Sequence, residues 1–355
     1  MPEKAQTSGG SRPLKLASIP NRYVSYVVEQ SFLVPVSALL TYSFGVKPVI
    51  LGVFLAYKLN FLAAVNLIFA TSTGWINIAS LFIISFLYYT FESGSGVGIG
   101  TNIFGFRIVA KYELPSIQIF ALSSLRNLVK SFFLANLGNA LFVIVFRQKM
   151  QTLVDHYFDV VVATEKDELK QSFWQGLYSS MFMYYSTFLI LLILFTFEVA
   201  GLPSTTLSSG DSSNYNIYST FYSIIGNNLV LDILGYMFGG LTILIGTFVR
   251  LFSSNILETN IIASLNHSNG AISFVRFILP QFFPETMGYV FGIASAISVT
   301  EVFLYYLQSL LRNEKKEYFV TQSKIQLLNL GYYMALSVLL IIIGAVIESF
   351  LIVTL

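Results

Sequence analysis

Long runs of apolar residues separated by short polar connectors set the pattern of this chain. They fall at Tyr23–Val46, Val49–Phe69, Trp75–Tyr89, Leu128–Phe146, Met181–Ala200, Phe221–Phe248, Met287–Leu311 and Leu328–Leu355. A helix needs about 20 apolar residues, each rising about 1.5 Å, to cross the hydrocarbon core of a bilayer. Most of the runs meet that length. The pattern therefore predicts an all-α, polytopic integral membrane protein of about seven to eight membrane segments, some of them re-entrant or broken. Ahead of the first run, Met1–Ile19 mixes Glu3, Lys4, Arg12 and Lys15 with Ser and Gly. No short apolar core with a cleavage site follows, and the stretch reads as a disordered cytosolic leader.

Lys and Arg in the connectors give the orientation, because positively charged loops stay in the cytosol. Arg107, Lys111 and Arg126 lie between Glu92 and Asn127, and Arg147, Lys149, Lys166 and Lys170 occupy the next connector. Arg312, Lys315, Lys316 and Lys324 fill the last one, whereas Gly201–Tyr218 carries neither Lys nor Arg. The N-terminus and the basic connectors are expected in the cytosol of a cell with this protein in its plasma membrane, and Gly201–Tyr218 outside. Parity then requires irregular segments. Leu128–Phe146 has basic connectors on both sides and a polar centre, Asn136-Leu137-Gly138-Asn139, so it reads as a re-entrant helical hairpin buried among other helices. Val49–Phe69, with Lys58, Asn60 and Asn66, reads as non-spanning; the alternative is a third full span with inverted topology downstream. Ser254–Pro284 holds Asn255, Glu258, His267 and Arg276, too polar for a lipid-facing helix, and reads as a broken crossing. A change of composition at Gln171–Tyr178 divides the chain into the leader (1–19), a first membrane module (20–170) and a second (171–355).

Composition agrees with the pattern and removes several function classes. Hydrophobic residues make up 55% and Asp, Glu, Lys and Arg 11%, against about 25% charged residues in soluble domains. A net charge of +2 leaves no footprint for nucleic acid. The absence of Cys excludes disulfides, thiolate catalysis and Cys-ligated zinc, and two histidines, His156 and His267, speak against a multi-histidine metal site. Gly94-x-Gly96-x-Gly98-x-Gly100 lacks the Lys-Ser/Thr that completes a phosphate-binding loop. No nucleophile–base arrangement can be built from these residues. The expectation is a non-enzymatic protein with no cofactor and no metal.

Two stretches carry motif likenesses. Arg22-Tyr-Val-Ser-Tyr-Val-Val-Glu29, then Gly98-Ile-Gly100 running into Gly105-Phe106-Arg107-Ile-Val109, then Arg126-Asn127, and finally Gln151-Thr152-Leu153-Val154-Asp155 follow one another over the first module. In that order they resemble the RDD family, in which an Arg precedes an Asp by seven positions inside the first span. Glu29 replaces that Asp here, and Thr101-Asn102 replaces the usual Lys-Arg. In the second module, Asn227-Asn228 and Ile278-Leu279-Pro280-Gln281-Phe-Phe-Pro284-Glu285, followed by Gly292-Ile-Ala294-Ser-Ala296, are similar to the stage II sporulation protein M family, with Gln281 and Phe282 in place of the family's His and Gly. The resemblances imply an archaeal or bacterial membrane protein. Sporulation members act as membrane scaffolds that recruit cell-wall hydrolases. Members of both families often sit beside MoxR-type AAA+ ATPases, and cation/proton antiport has been proposed for some RDD proteins.

The residues that could carry chemistry are rare intramembrane polar groups, each with a functional and a structural reading. Glu29 lies two turns from Arg22 on one helix face. It reads as a proton or cation site, or as an ion pair with Arg22 or Arg126. Asp155 and Asp159 would share a face if helical and could bind a divalent ion, or else pair with Arg107 and Lys149 to hold the connector in place. Asp232, Glu258, Arg276 and Glu285 could converge with Asn227 and Asn228, as a relay or as a neutralised packing network. Gly235-x-x-x-Gly239 lets another helix approach closely. Glu198 and Glu348 read as interfacial, and Glu301 as a weaker candidate. Taken together, the sequence predicts a membrane scaffold or complex component that docks partners on its cytosolic connectors and assembles as a homodimer in the lipid bilayer. The competing class is a cation/proton-coupled transporter. Acids meeting in a watery cavity favour transport; acids each sealed by a basic or amide partner favour the scaffold.

Overall fold

A computed structural model describes residues 15–49, 51, 69–95, 98–110, 115–132, 136, 151–164, 168–200, 217–226, 228–229, 234–242, 244–267, 279–311 and 316–354. In chain order the elements are β1 (Lys15–Leu16), α1 (Ile19–Ser43), α2 (Ser72–Ser95), α3 (Ile99–Phe104), β2 (Phe106–Ala110), α4 (Ser116–Ser131), α5 (Leu153–Tyr157) and β3 (Val160–Thr164). Then come α6 (Glu168–Ala200), α7 (Ile217–Ile225), α8 (Leu234–Leu241), α9 (Ile245–His267), α10 (Leu279–Leu311) and α11 (Lys316–Thr354). The molecule is an all-α membrane protein, with one small antiparallel sheet among the described residues.

Among the described residues, five helices are long and apolar enough to cross a membrane: Ile19–Ser43, Ser72–Ser93, Gln171–Thr196, Pro280–Leu310 and Glu317–Leu351. The non-spanning stretch expected in Val49–Phe69 falls almost wholly outside the described residues; of the hairpin expected in Leu128–Phe146, Leu128–Ser131 form the last turn of α4, and beyond Phe132 only Asn136 is described. Phe221–Phe248, expected as one span, is instead interrupted between α8 and α9, where Thr242 turns the chain. The expected interruption of Ser254–Pro284 does not begin at Ser254, because α9 continues through Asn255 and Glu258 to His267. Neighbouring helices meet its polar groups: Asn255 Nδ2 donates to the Tyr184 carbonyl at 3.2 Å.

Local chemistry explains the helix ends. The Ser18 hydroxyl accepts the Asn21 N–H at 3.4 Å and Pro20 sits in the first turn of α1, where a missing N–H leaves nothing unmet. Pro35 lies inside α1 and has no N–H to offer the Ser31 carbonyl four residues back. Thr187 of α6 fills that gap, its hydroxyl donating to the Ser31 carbonyl at 3.0 Å. A helix-breaking residue thereby becomes a link between two spans.

The last residues of the expected leader are ordered. Lys15 and Leu16 pair with Thr164 and Ala163 of β3, and β2 pairs along the other edge of β3, giving the order β1-β3-β2. Gly105 ends α3 with φ +67°, and the chain turns straight into β2. Ser18 at the start of α1 meets Tyr305 near the end of α10 at 3.3 Å, and Asn329 early in α11 bonds Ser172 early in α6 at 3.0 Å. The sheet and these helix ends therefore lie at one end of the bundle.

The main core crosses the expected module boundary. Val24, Val28 and Phe104 pack in one buried cluster with Tyr184, Tyr289, Ala294 and Tyr333. Helix α6 runs without a break through Gln171. Close approaches hold α8 in place: a Cβ on Gly240 would come within 2.6 Å of the Ala296 carbonyl oxygen, and one on Gly239 would strike the Thr247 backbone.

Candidate functional site

The sheet end is fastened by one buried aspartate. Thr152 caps α5 by accepting the Asp155 N–H at 3.2 Å, while the Asp155 carboxylate accepts the Thr152 N–H at 3.4 Å. With its backbone so fixed, the carboxylate turns inward to Arg22 of α1, at 3.1 Å, and to Arg126 of α4. Burial alone would push the Asp155 carboxyl up, yet the Arg126 and Arg22 guanidiniums, with the Thr152 hydrogen bonds, hold it below the usual carboxylate range. Gln151 Nε2 donates to the Val160 carbonyl at 2.8 Å and ties the cap to β3. Thr164, at the far end of β3, donates to the Phe104 carbonyl at 2.7 Å. Next to Arg126, Asn127 turns to α2, accepting from the Ser93 hydroxyl at 2.9 Å.

These contacts redistribute the expected pairs. Asp155 binds Arg22 and Arg126 rather than Arg107, which is exposed on β2 opposite Ala163. Lys149 lies outside the described residues. Asp159 does not share a helix face with Asp155, because α5 ends at Tyr157 and Asp159 takes a positive φ of 47° as the chain enters β3. Among the described residues, no group of three or more His, Asp or Glu gathers as a metal-binding cluster.

Glu29 therefore has other company. It is buried in α1 against the backbone of Gly100 and the Tyr89 hydroxyl, with Lys130 and Glu92 as its charged neighbours. Lys130 of α4 pairs with Glu92 of α2 at 3.4 Å and lies 4.5 Å from the centre of the Tyr89 ring. Both acids lean on one turn: a Cβ on Gly98 would collide with the Glu92 carboxylate, and one on Gly100 with Ser25 and Glu29. Two buried carboxylates thus face one lysine beside a glycine turn. The expected pairing of Glu29 with Arg22 or Arg126 is overturned, since Asp155 takes both guanidiniums.

In the second half the expected convergence divides in two. Asn228 Nδ2 donates to Glu285 at 2.9 Å, and Glu348 of α11 shares a hydrogen bond with Glu285. Glu258 receives instead the Tyr184 hydroxyl at 2.7 Å, in the interior of α6 and α9. Pro280 sits exposed in the first turn of α10, and Pro284 is buried one turn further on. Asp232, Arg276 and Asn227 lie outside the described residues.

Four partners escaped the reading of the pattern. Glu92 and Lys130 stand at the edges of apolar runs, where a charge reads as a boundary marker. Tyr89 and Tyr184 read as apolar bulk, although each puts its hydroxyl beside an acid. Only the packing of α1, α2 and α4 brings the first three together. The fold and these interior contacts are those of a multi-pass membrane protein with internally partnered acids. Comparison with protein-family models, curated proteins and solved structures finds no match for the chain.

Proposed function

We propose that the chain is a non-enzymatic scaffold or complex component of the cytoplasmic membrane, with a cytosolic N-terminus and partners docking on its cytosolic connectors. The observation that carries this reading is the Asp155 clamp. An acid serving transport must be reached by water and change partners; one held by two guanidiniums and its own helix cap is a fastener. The clamp ties α5 to α1 and α4, and Gln151 extends the tie to the sheet. A platform results at the basic end, with Arg107 and Tyr157 exposed on it. Glu29, Glu258 and Glu285 likewise meet partners from within the chain. The likeness of the motifs to the RDD and stage II sporulation protein M families supports the same reading. It extends the proposal to a MoxR-type AAA+ ATPase as partner, and the Gly-rich span faces extend it to a two-fold homodimer.

Proteoliposomes carrying the protein should show no more Na⁺-, K⁺- or Li⁺-driven proton flux than empty liposomes. Flux above that level, abolished by Glu29→Gln, Asp232→Asn or Glu285→Gln in a folded protein, would replace the scaffold with cation/proton-coupled transport. That second reading has one observation in its favour, the pair of acids Glu29 and Glu92 facing Lys130. Crosslinking from Arg107→Cys in membranes should capture a partner on the sheet platform, and the naturally Cys-free sequence keeps the background clean.

A further inference from the structure

The antiparallel pair α10–α11 shares a seam of buried polar side chains. Ser298 of α10 bonds Gln326 of α11 at 3.5 Å, and Ser337 bonds the Gly288 carbonyl at 2.7 Å. In that register Gln322 lies one turn before Gln326 on α11, and Glu301 one turn after Ser298 on α10. Asn329, one turn further on, bonds Gln326 at 3.3 Å and Ser172 of α6 at 3.0 Å. All of these side chains are buried, Gln322 at 0% exposure and Glu301 at 5%. Aromatic layers flank the seam along the bundle. Tyr305 and Phe319 pack together on the side of the sheet, and Phe291 and Tyr333 lie 6.2 Å apart on the other.

Gln322 sets the chemistry. Its amide nitrogen and its amide oxygen are both buried without a hydrogen-bond partner in the chain. Buried amides are satisfied almost without exception, by protein or by bound water. A bare metal ion would meet the oxygen and leave the N–H unmet. An ammonium ion, a donor only, would do the same. A small ligand that both donates and accepts satisfies the two together, and water is the smallest such ligand.

We infer that the buried polar seam around Gln322 is an internal hydration site, binding water between the aromatic layers of α10 and α11. The site goes beyond the scaffold reading, which does not require it.

Hydroxyl-radical footprinting of the full chain in nanodiscs, with a short X-ray pulse, reads bound water at residues that bulk solvent does not reach. Phe319, one turn before Gln322, has its control in Phe252, equally buried but in an apolar cluster. Phe319 is expected to be oxidised several-fold more than Phe252, and Gln322→Met in a folded protein should abolish the difference. Equal labelling of the two rings in the unsubstituted protein would overturn the inference. So would excess labelling of Phe319 that persists in Gln322→Met, since the water would then not be held by Gln322. Should Gln322→Met fail to fold, Gln322→Glu keeps an acceptor there and should retain the excess, whose loss in that folded variant would count against the site. None of these outcomes depends on whether ions cross the membrane, so the site and the scaffold reading stand or fall separately.

Discussion

Asp155 shows how much one side chain can organise. Its helix cap, its two guanidiniums and its burial depend on one another, because a carboxylate this deep is tolerable only when charge and hydrogen bonds meet it. Asp155→Ala leaves Arg22 and Arg126 facing each other across an empty site, and should destabilise the protein by about 3 kcal/mol, read from thermal or denaturant melts in detergent. The depressed carboxyl also sets a pH dependence. Its stabilising contribution is complete above about pH 4, where the unfolded aspartate is ionised. The contribution fades as pH falls through the lower folded value. Melts across the acid range should therefore lose stability below about pH 4 in the wild type, and Asp155→Asn should flatten that part of the curve. An unchanged acid limb in the variant would mean that another group governs it.

Among the elements, glycine decides two junctions. Gly105 occupies the left-handed region at φ +67°, which lets α3 stop and β2 begin without an intervening loop. Gly105→Ala should cost about 1 kcal/mol and Gly105→Val more, with Gly105→Asn the mildest, measured as shifts in Tm. Gly240 works by close approach, since its neighbour is the Ala296 backbone, which cannot swing away as a side chain would. Gly240→Ala should separate α8 from α10 at a cost of about 1–3 kcal/mol. A neutral result would show that the hairpin of α8 and α9 slides on α10. The run Phe221–Phe248 looked like one span because hydropathy registers apolar content. The Thr242 turn, with its hydroxyl donating to the Gly239 carbonyl at 2.7 Å, is invisible to such a count.

At the scale of the whole molecule, the core that joins Val24 and Phe104 to Tyr184 and Tyr333 makes the two halves interdependent. Residues 1–170 and 171–355 expressed as separate chains should each be recovered poorly alone, and should co-purify when expressed together. Independent, monodisperse halves would make residue 171 a true domain boundary. The apolar runs and the shortage of charge were enough to establish a helical membrane protein, because a bilayer demands length and apolarity that are written locally. The residues of the clamp were legible as well: Arg22, Arg126, Thr152 and Asp155 stand out as polar groups beside or between spans. Which charge meets which was not legible. Arg22 is seven residues from Glu29 and far along the chain from Asp155, yet Asp155 takes it. Glu29 turns to Tyr89, Lys130 and the Gly100 backbone instead. Periodicity fixes the face of a helix on which a residue lies, but the partner of that face is set by how separate helices pack, and only the tertiary structure brings those distant positions together.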